Sequence, residues 1–265
     1  MRYTRALLIL LVLCLAIGAG ATRTAAAADT TVYKVWLARA GKLWLVKREQ
    51  PATAAPARAA MQALLAGPNL AESDAGVVSR VPADTALLGL SVANGTATVD
   101  LSGAFTATDT AAAVRMRLAQ VTYTLTQFPS IDRVVLRVNG RAAGSIAGVT
   151  VPQPMTQSSY RSLLPAITVW NPAIGSHLSG SVRVTGLADV FEASLHIRIV
   201  NQDGTTIARA STTASCGTGC WGGYTVLVPF SVSRDQLGTI VVADDDADGD
   251  GVPQHQVRIP VVLLA

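Results

Sequence analysis

Residues 109–140 read DTAAAVRMRLAQVTYTLTQFPSIDRVVLRVNG. Val114, Leu118, Val121, Leu125 and Phe128 recur at steps of four and three, which is one face of an α-helix. Arg115, Arg117, Gln120, Thr124 and Gln127 fall largely elsewhere on the wheel, on the side expected to face solvent. Thr108 and Asp109 offer N-cap oxygens, and Pro129 ends the helix because it has no N–H and clashes with the preceding turn. A strand then follows, with Val134, Leu136 and Val138 alternating with Arg133, Val135 and Arg137, and Asn139-Gly140 turns the chain. A one-faced helix running into a short alternating strand predicts the core of an α+β domain.

Upstream, residues 31–37 and 43–47 are strand patterns joined by Ala40-Gly41, so the folded chain is expected to open with a hairpin. Residues 54–66 form a helix with Pro56 in its first turn and Gly67-Pro68 at its end. Residues 88–92 and 96–101 make a second hairpin around Asn94-Gly95. The first hairpin carries Lys34, Lys42, Lys47 and Arg48 beside Trp36 and Trp44, which reads more simply as a solvated sheet face over buried aromatics than as a surface for nucleic acid or an anionic wall polymer.

The first 28 residues look like a secretory signal. Arg2 and Arg5 precede an apolar run over 7–17, and Ala26-Ala27-Ala28 fits a cleavage site with Asp29 as the new N-terminus. The run is shorter than the ~18–20 residues a membrane span needs, so no stable span is expected after cleavage; a retained N-terminal anchor is the alternative. The whole chain of 265 residues carries +4, and losing Arg2, Arg5 and Arg23 with no acid leaves +1. That balance gives no argument for nucleic acid. The charge is divided, with thirteen basic and eight acidic residues over 29–165 (+5) and five basic and nine acidic over 166–265 (−4). The break predicts two domains.

At 144–165 Pro152, Pro154 and Pro165 sit among Gln and Ser, so 149–165 is expected to be an extended, stiff linker between a first domain at 29–148 and a second at 166–265. The second domain shows about seven short β-rich runs in its 100 residues, separated by turns such as Asn171-Pro172 and Asp203-Gly204. That spacing predicts an all-β Ig-like sandwich.

Two resemblances accompany these readings. Pro82, the Asn94-Gly95 hairpin, Val99-Asp100-Leu101-Ser102, Phe105, Gln120, Thr124-Leu125-Thr126, Phe128-Pro129 and Val138-Asn139-Gly140 occur in an order that resembles the GerMN domain of sporulation and spore-germination proteins. The resemblance implies helices on a small sheet, similar to the ring-building motifs of secretion assemblies, and a binding or assembly role. Pro172, Gly175, Gly180, Val184, Gly186, Ala188, Phe191-Glu192-Ala193 and Asp203-Gly204 resemble the Ig-like domain associated with bacterial spore germination.

Four features bear on chemistry. Asp244, Asp246, Asp248 and Asp250, with Gly249 and Gly251, match the front half of a D-x-D-x-D-G loop and make a candidate calcium site. The closing Glu is absent, and a solvated acidic turn is the alternative. Cys216 and Cys220, the pair left after signal removal, are expected to form a local disulfide in an exported chain. Gly217, Gly219 and Gly222 spell G-x-G-x-x-G, but a strand follows where a dinucleotide site needs a helix. His177, His196 and His255 all fall in the second domain, and no G-x-S-x-G elbow accompanies them.

The expectation is an exported, non-enzymatic envelope protein that binds or assembles. Its partners would be envelope proteins or peptidoglycan, with self-association through the Arg115, Arg117 and Gln120 face. A cell-wall-active hydrolase and a small-ligand-binding protein are the alternatives.

Overall fold

The computed structural model describes residues 29–245 and 252–265. The expected signal at 1–28 and the loop at 246–251 lie outside the described residues. In the first domain β1 (Thr30–Arg39) and β2 (Lys42–Pro51) pair antiparallel across Ala40-Gly41. Then come α1 (Pro56–Leu65), α2 (Leu70–Asp74), β3 (Val77–Val78), β4 (Leu87–Ala93), β5 (Thr96–Leu101), α3 (Ala111–Leu125), β6 (Arg133–Val138) and β7 (Arg141–Ala142). One sheet has the order β2-β1-β3 and another β4-β5-β6-β7. The β4–β5 hairpin turns on Asn94 and Gly95, both at positive φ, as a two-residue turn between twisted strands requires. From β5 the chain crosses through α3 to β6, which lies parallel to β5.

The apolar stripe of α3 is buried as its period predicts: Val114, Leu118, Val121 and Leu125 are each 1% exposed or less. The N-cap, however, is Thr110, whose hydroxyl accepts from the Ala113 amide at 3.2 Å, rather than Thr108 or Asp109. Residues 70–74 form a short helix, opened by Asn69 and Glu72, which cap each other reciprocally. Buried Glu72 also takes a two-pronged bond from Arg48, at 2.7 and 2.6 Å.

The expected linker is not a free spacer. Its first residues form β9 (Val149–Thr150), which pairs in a small hairpin with β8 (Ser145–Ile146) of the first domain. Met155 then exchanges backbone bonds with Val134 at 2.9 and 2.8 Å, and the Gln153 side chain pairs with both the N–H and C=O of Leu136 at 3.2 and 3.0 Å. Val151, Met155 and Tyr160 are buried in the first core. The prolines interrupt regular structure but leave the segment packed, because strand β6 has an open edge that its backbone and Gln153 complete.

Among its described residues the second domain is a sandwich of eight strands, one more than the pattern predicts. They are β10 (Ile167–Asn171), β11 (His177–Ser179), β12 (Ser181–Ala188), β13 (Ser194–Asn201), β14 (Thr206–Thr213), β15 (Gly222–Pro229), β16 (Gln236–Ala243) and β17 (Gln256–Leu264). The sheets run β10-β12-β15 and β11-β17-β16-β13-β14. The extra strand, β11, is three residues long and lies parallel to β17, too short to show a period. Leu195, Ile197 and Ile199 face Val182, Val184 and Val228 across the interior, as strict alternation along each strand requires. Gly186 is obligatory here, because a Cβ would meet the Tyr224 hydroxyl at 2.6 Å and collide with the Thr168 carbonyl.

The domains meet along the first hairpin. Trp44 and Ile174 each pack against both cores. The Lys34 ammonium sits 4.6 Å from the Trp170 ring, and the Arg39 guanidinium 4.6 Å from that of Trp44. Arg39 also donates to the Ala75 carbonyl of the first domain and the Arg258 carbonyl of the second, both at 2.8 Å.

Candidate functional site

Two of the three residues proposed as an interaction face are buried. Arg115 is exposed, but Arg117 is 1% exposed and Gln120 0%. Arg117 donates from Nε to the Arg80 carbonyl at 2.9 Å and from Nη1 to the carbonyls of Phe105 and Ala107 at 2.6 and 3.0 Å. Its other nitrogen reaches Asp109 at 3.4 Å. Burial lowers the pKa of this guanidinium from its ordinary value, and Asp109 acts against that shift. Arg117 thus ties the chain ahead of α3 to the helix and offers no charge to a partner.

Gln120, Thr124 and Gln127 form a polar stripe with a structural task. β1 is paired with β2 along its length, but with β3 only at Ala38 and Arg39. Its remaining edge groups go to the helix. Gln127 accepts from the Lys34 N–H at 2.8 Å and donates to the Lys34 C=O at 2.6 Å. Thr124 accepts from the Trp36 N–H at 3.1 Å, and Gln120 donates to the Trp36 C=O at 3.2 Å. Spacing of four and three places the three side chains on one helical face, where they stand in for a neighbouring strand.

The described part of the acidic loop lies at one end of the larger second-domain sheet. Asp244 is 5% exposed; its two oxygens take the His255 backbone N–H at 2.8 Å and the ring Nδ1 at 2.6 Å. A cation site starting at Asp244 would therefore compete with His255. Asp246, Asp248 and Asp250 lie outside the described residues, and among the described residues no group of three or more His, Cys, Asp or Glu is placed to hold a metal.

Next to it is a line of side chains that sequence reasoning did not find. His196 stands between Ser211, whose hydroxyl is 2.9 Å from Nδ1, and Asp245, whose carboxylate meets Nε2. Strand register assembles the line, because His196 lies opposite Ser211 on β14 and opposite Ala243 on β16. Hydrogen bonds from His196, then from Ser194, hold Asp245 below the ordinary carboxylate pKa. The three border an open hollow of about 450 Å³ with Arg198 and Arg209. Hydroxyl, imidazole and carboxylate stand in the order of a hydrolytic triad but with the ring nitrogens exchanged: the hydroxyl meets Nδ1 and the carboxylate Nε2, where a triad has the hydroxyl on Nε2 and the carboxylate on Nδ1. Ser211, however, is exposed on a regular edge strand, not raised on a sharp turn.

Cys216 and Cys220 are bonded to each other in the loop before β15. Gly217 is fixed by crowding there, since a Cβ would lie 2.6 Å from the Val190 carbonyl and the Ala193 amide. Close backbone packing therefore explains a glycine of the G-x-G-x-x-G pattern without a nucleotide.

Comparison with known proteins bears on both domains. Residues 27–144 match the family described as sporulation and spore germination. Residues 166–250 match the immunoglobulin-like domain of bacterial spore germination. Among solved structures, the first GerMN domain of the sporulation protein GerM from Bacillus subtilis is 25% identical, over 48% of this chain and 98% of that one, with a TM-score of 0.39. The tandem GerMN domains of the same protein are 17% identical over 78% of this chain and 64% of that one, with a TM-score of 0.43. No curated protein matches the chain.

Proposed function

Since the chain carries a sporulation and spore-germination domain directly ahead of the immunoglobulin-like domain of bacterial spore germination, we propose that it is an exported, non-enzymatic envelope protein that binds other envelope components. The observation carrying this reading is the succession of those two domains, joined by the packed segment 145–165 and by Trp44. A domain pair held this way presents a fixed surface, and preorganisation of that kind lowers the entropic cost of binding. No helix among the described residues is long and apolar enough to cross a membrane. Residues 29–265 serve as bait against solubilised envelope proteins, with isolated peptidoglycan sedimented in parallel. Specific retention of an envelope protein or of the chain on peptidoglycan supports the reading; retention of neither overturns it.

The line Ser211–His196–Asp245 favours a second reading, a hydrolase acting on the wall. Release of soluble fragments from peptidoglycan by the wild type, abolished by Ser211→Ala, would establish it. Equal rates from both proteins, or none, would remove it.

A further inference from the structure

The first hairpin and the last strand enclose a cleft of about 350 Å³ at the domain junction, bordered by Arg39, Lys42, Trp44, Pro165, Gln256 and Arg258. Among the described residues none of its three cations is within ion-pair distance of a carboxylate. Arg39 is half-buried and held by two backbone carbonyls, and burial lowers its pKa from the ordinary value. Lys42 donates only to the Ser162 carbonyl at 2.8 Å, and Arg258 to the Gln256 side chain at 3.2 Å. Three positive groups therefore line the cleft without a carboxylate partner, beside the Pro165 ring and the part of the Trp44 ring that Arg39 does not cover. A flat apolar wall with cations beside it suits a sugar ring that carries a negative group: the ring lies against the wall and the anion takes charge-assisted hydrogen bonds.

We propose that this junction cleft binds an anionic glycan, with the sugar against Trp44 and Pro165 and its carboxylate or phosphate on Lys42 and Arg258. The proposal rests on the envelope-binding reading and gives that reading a ligand class and a place. Both domains contribute, Arg39, Lys42 and Trp44 from the first and Gln256 and Arg258 from the second, so neither domain alone has the complete site.

The test is calorimetric titration of residues 29–265 with three probes: muramoyl-peptide fragments of peptidoglycan, glycerol-phosphate oligomers and neutral N-acetylglucosamine oligomers. The expected result is binding of at least one anionic probe, weakened by added salt and at least tenfold tighter than the neutral one. Which anionic probe binds separates a carboxylate source from a phosphate source. Arg258→Glu and Lys42→Glu, which alter exposed side chains, should each weaken that binding tenfold or more. Arg234→Glu makes the same charge change beyond the opposite end of the sheet, since β16 starts at Gln236 opposite Leu263 and ends at Ala243 opposite Gln256; it should bind like the wild type. Circular dichroism checks that each variant is folded. No anionic binding, or equal binding by wild type, Arg258→Glu and Lys42→Glu, overturns the proposal. If the proposal falls on those results while residues 29–265 still capture an envelope protein or sediment with peptidoglycan, the envelope-binding reading stands without the cleft.

Discussion

Gln127 takes both backbone hydrogen bonds of Lys34: its carbonyl oxygen accepts from the Lys34 N–H at 2.8 Å and its amide nitrogen donates to the Lys34 C=O at 2.6 Å. A glutamine amide carries one acceptor and two donors, so it can pair with one strand residue as a neighbouring strand would. Gln153 does the same for Leu136 on β6. Two sheet edges that short partner strands leave open are thereby completed by side chains, which removes unpaired backbone and closes the edges to other chains.

Gln120→Ala should cost about 1–3 kcal/mol, because the buried Trp36 carbonyl and the part-buried Arg80 amide it serves lose their partner. Gln127→Ala should cost less, about 0.5–1.5 kcal/mol, since Lys34 can turn to solvent. Chemical denaturation gives both values. Hydrogen exchange at the Lys34 amide should speed up in Gln127→Ala; an unchanged rate would show that the side chain does not protect it.

These contacts show where the sequence was legible. The apolar stripe of α3, the hairpins at Ala40-Gly41 and Asn94-Gly95 and most strands of the sandwich were readable because burial imposes a period on them. The roles of Gln120, Thr124 and Gln127 were not, because polar residues that pair with a strand edge leave the same pattern as polar residues facing water. Arg117 misleads for the same reason: its partners are carbonyls, which have no signature in sequence. The prolines at 152 and 154 suggest an extended, stiff linker standing between the domains, but Gln153 between them anchors that segment to β6. Register alone brings His196, Ser211 and Asp245 together, from three separate strands or strand ends.

Arg117→Met should destabilise the first domain by about 3–5 kcal/mol, because the carbonyls of Arg80, Phe105 and Ala107 all lose their donor. Arg117→Lys should recover only part of this, since an ammonium cannot reproduce the planar fork. Arg115→Ala, on the exposed side of the same helix, should stay within about 0.5 kcal/mol of the wild type. Equal melting of Arg117→Met and Arg115→Ala would contradict this assignment.

Alkaline pH should loosen the protein. Burial raises the phenols of Tyr123 and Tyr160 to about 12 and that of Tyr224 further, from the ordinary 10.0. Groups whose folded pKa is raised contribute stability that is complete below the unfolded value and is lost as pH climbs from there through the folded value. Stability should therefore fall from about pH 10 upward. Phenolate absorbance, assigned with Tyr→Phe variants, should show all three largely protonated at pH 11 while the protein remains folded. Ionisation of Tyr224 at pH 10 in folded protein would contradict its burial against the Thr168 carbonyl.

The Cys216–Cys220 bond closes a loop of separation 4, so its entropic effect is modest, about 2 kcal/mol. The double Ser variant should keep its far-ultraviolet circular dichroism and melt at a lower temperature. Thiol labelling of unreduced residues 29–265 should find no free cysteine.

The central claim is that the two domains form one rigid unit, bolted by Trp44 and by Arg39 on the Arg258 carbonyl. Backbone ¹⁵N relaxation of residues 29–265 tests it most directly. One rotational correlation time shared by both domains and by 145–165 is the predicted result. Two distinct correlation times, with independent tumbling on either side of Pro165, would contradict it.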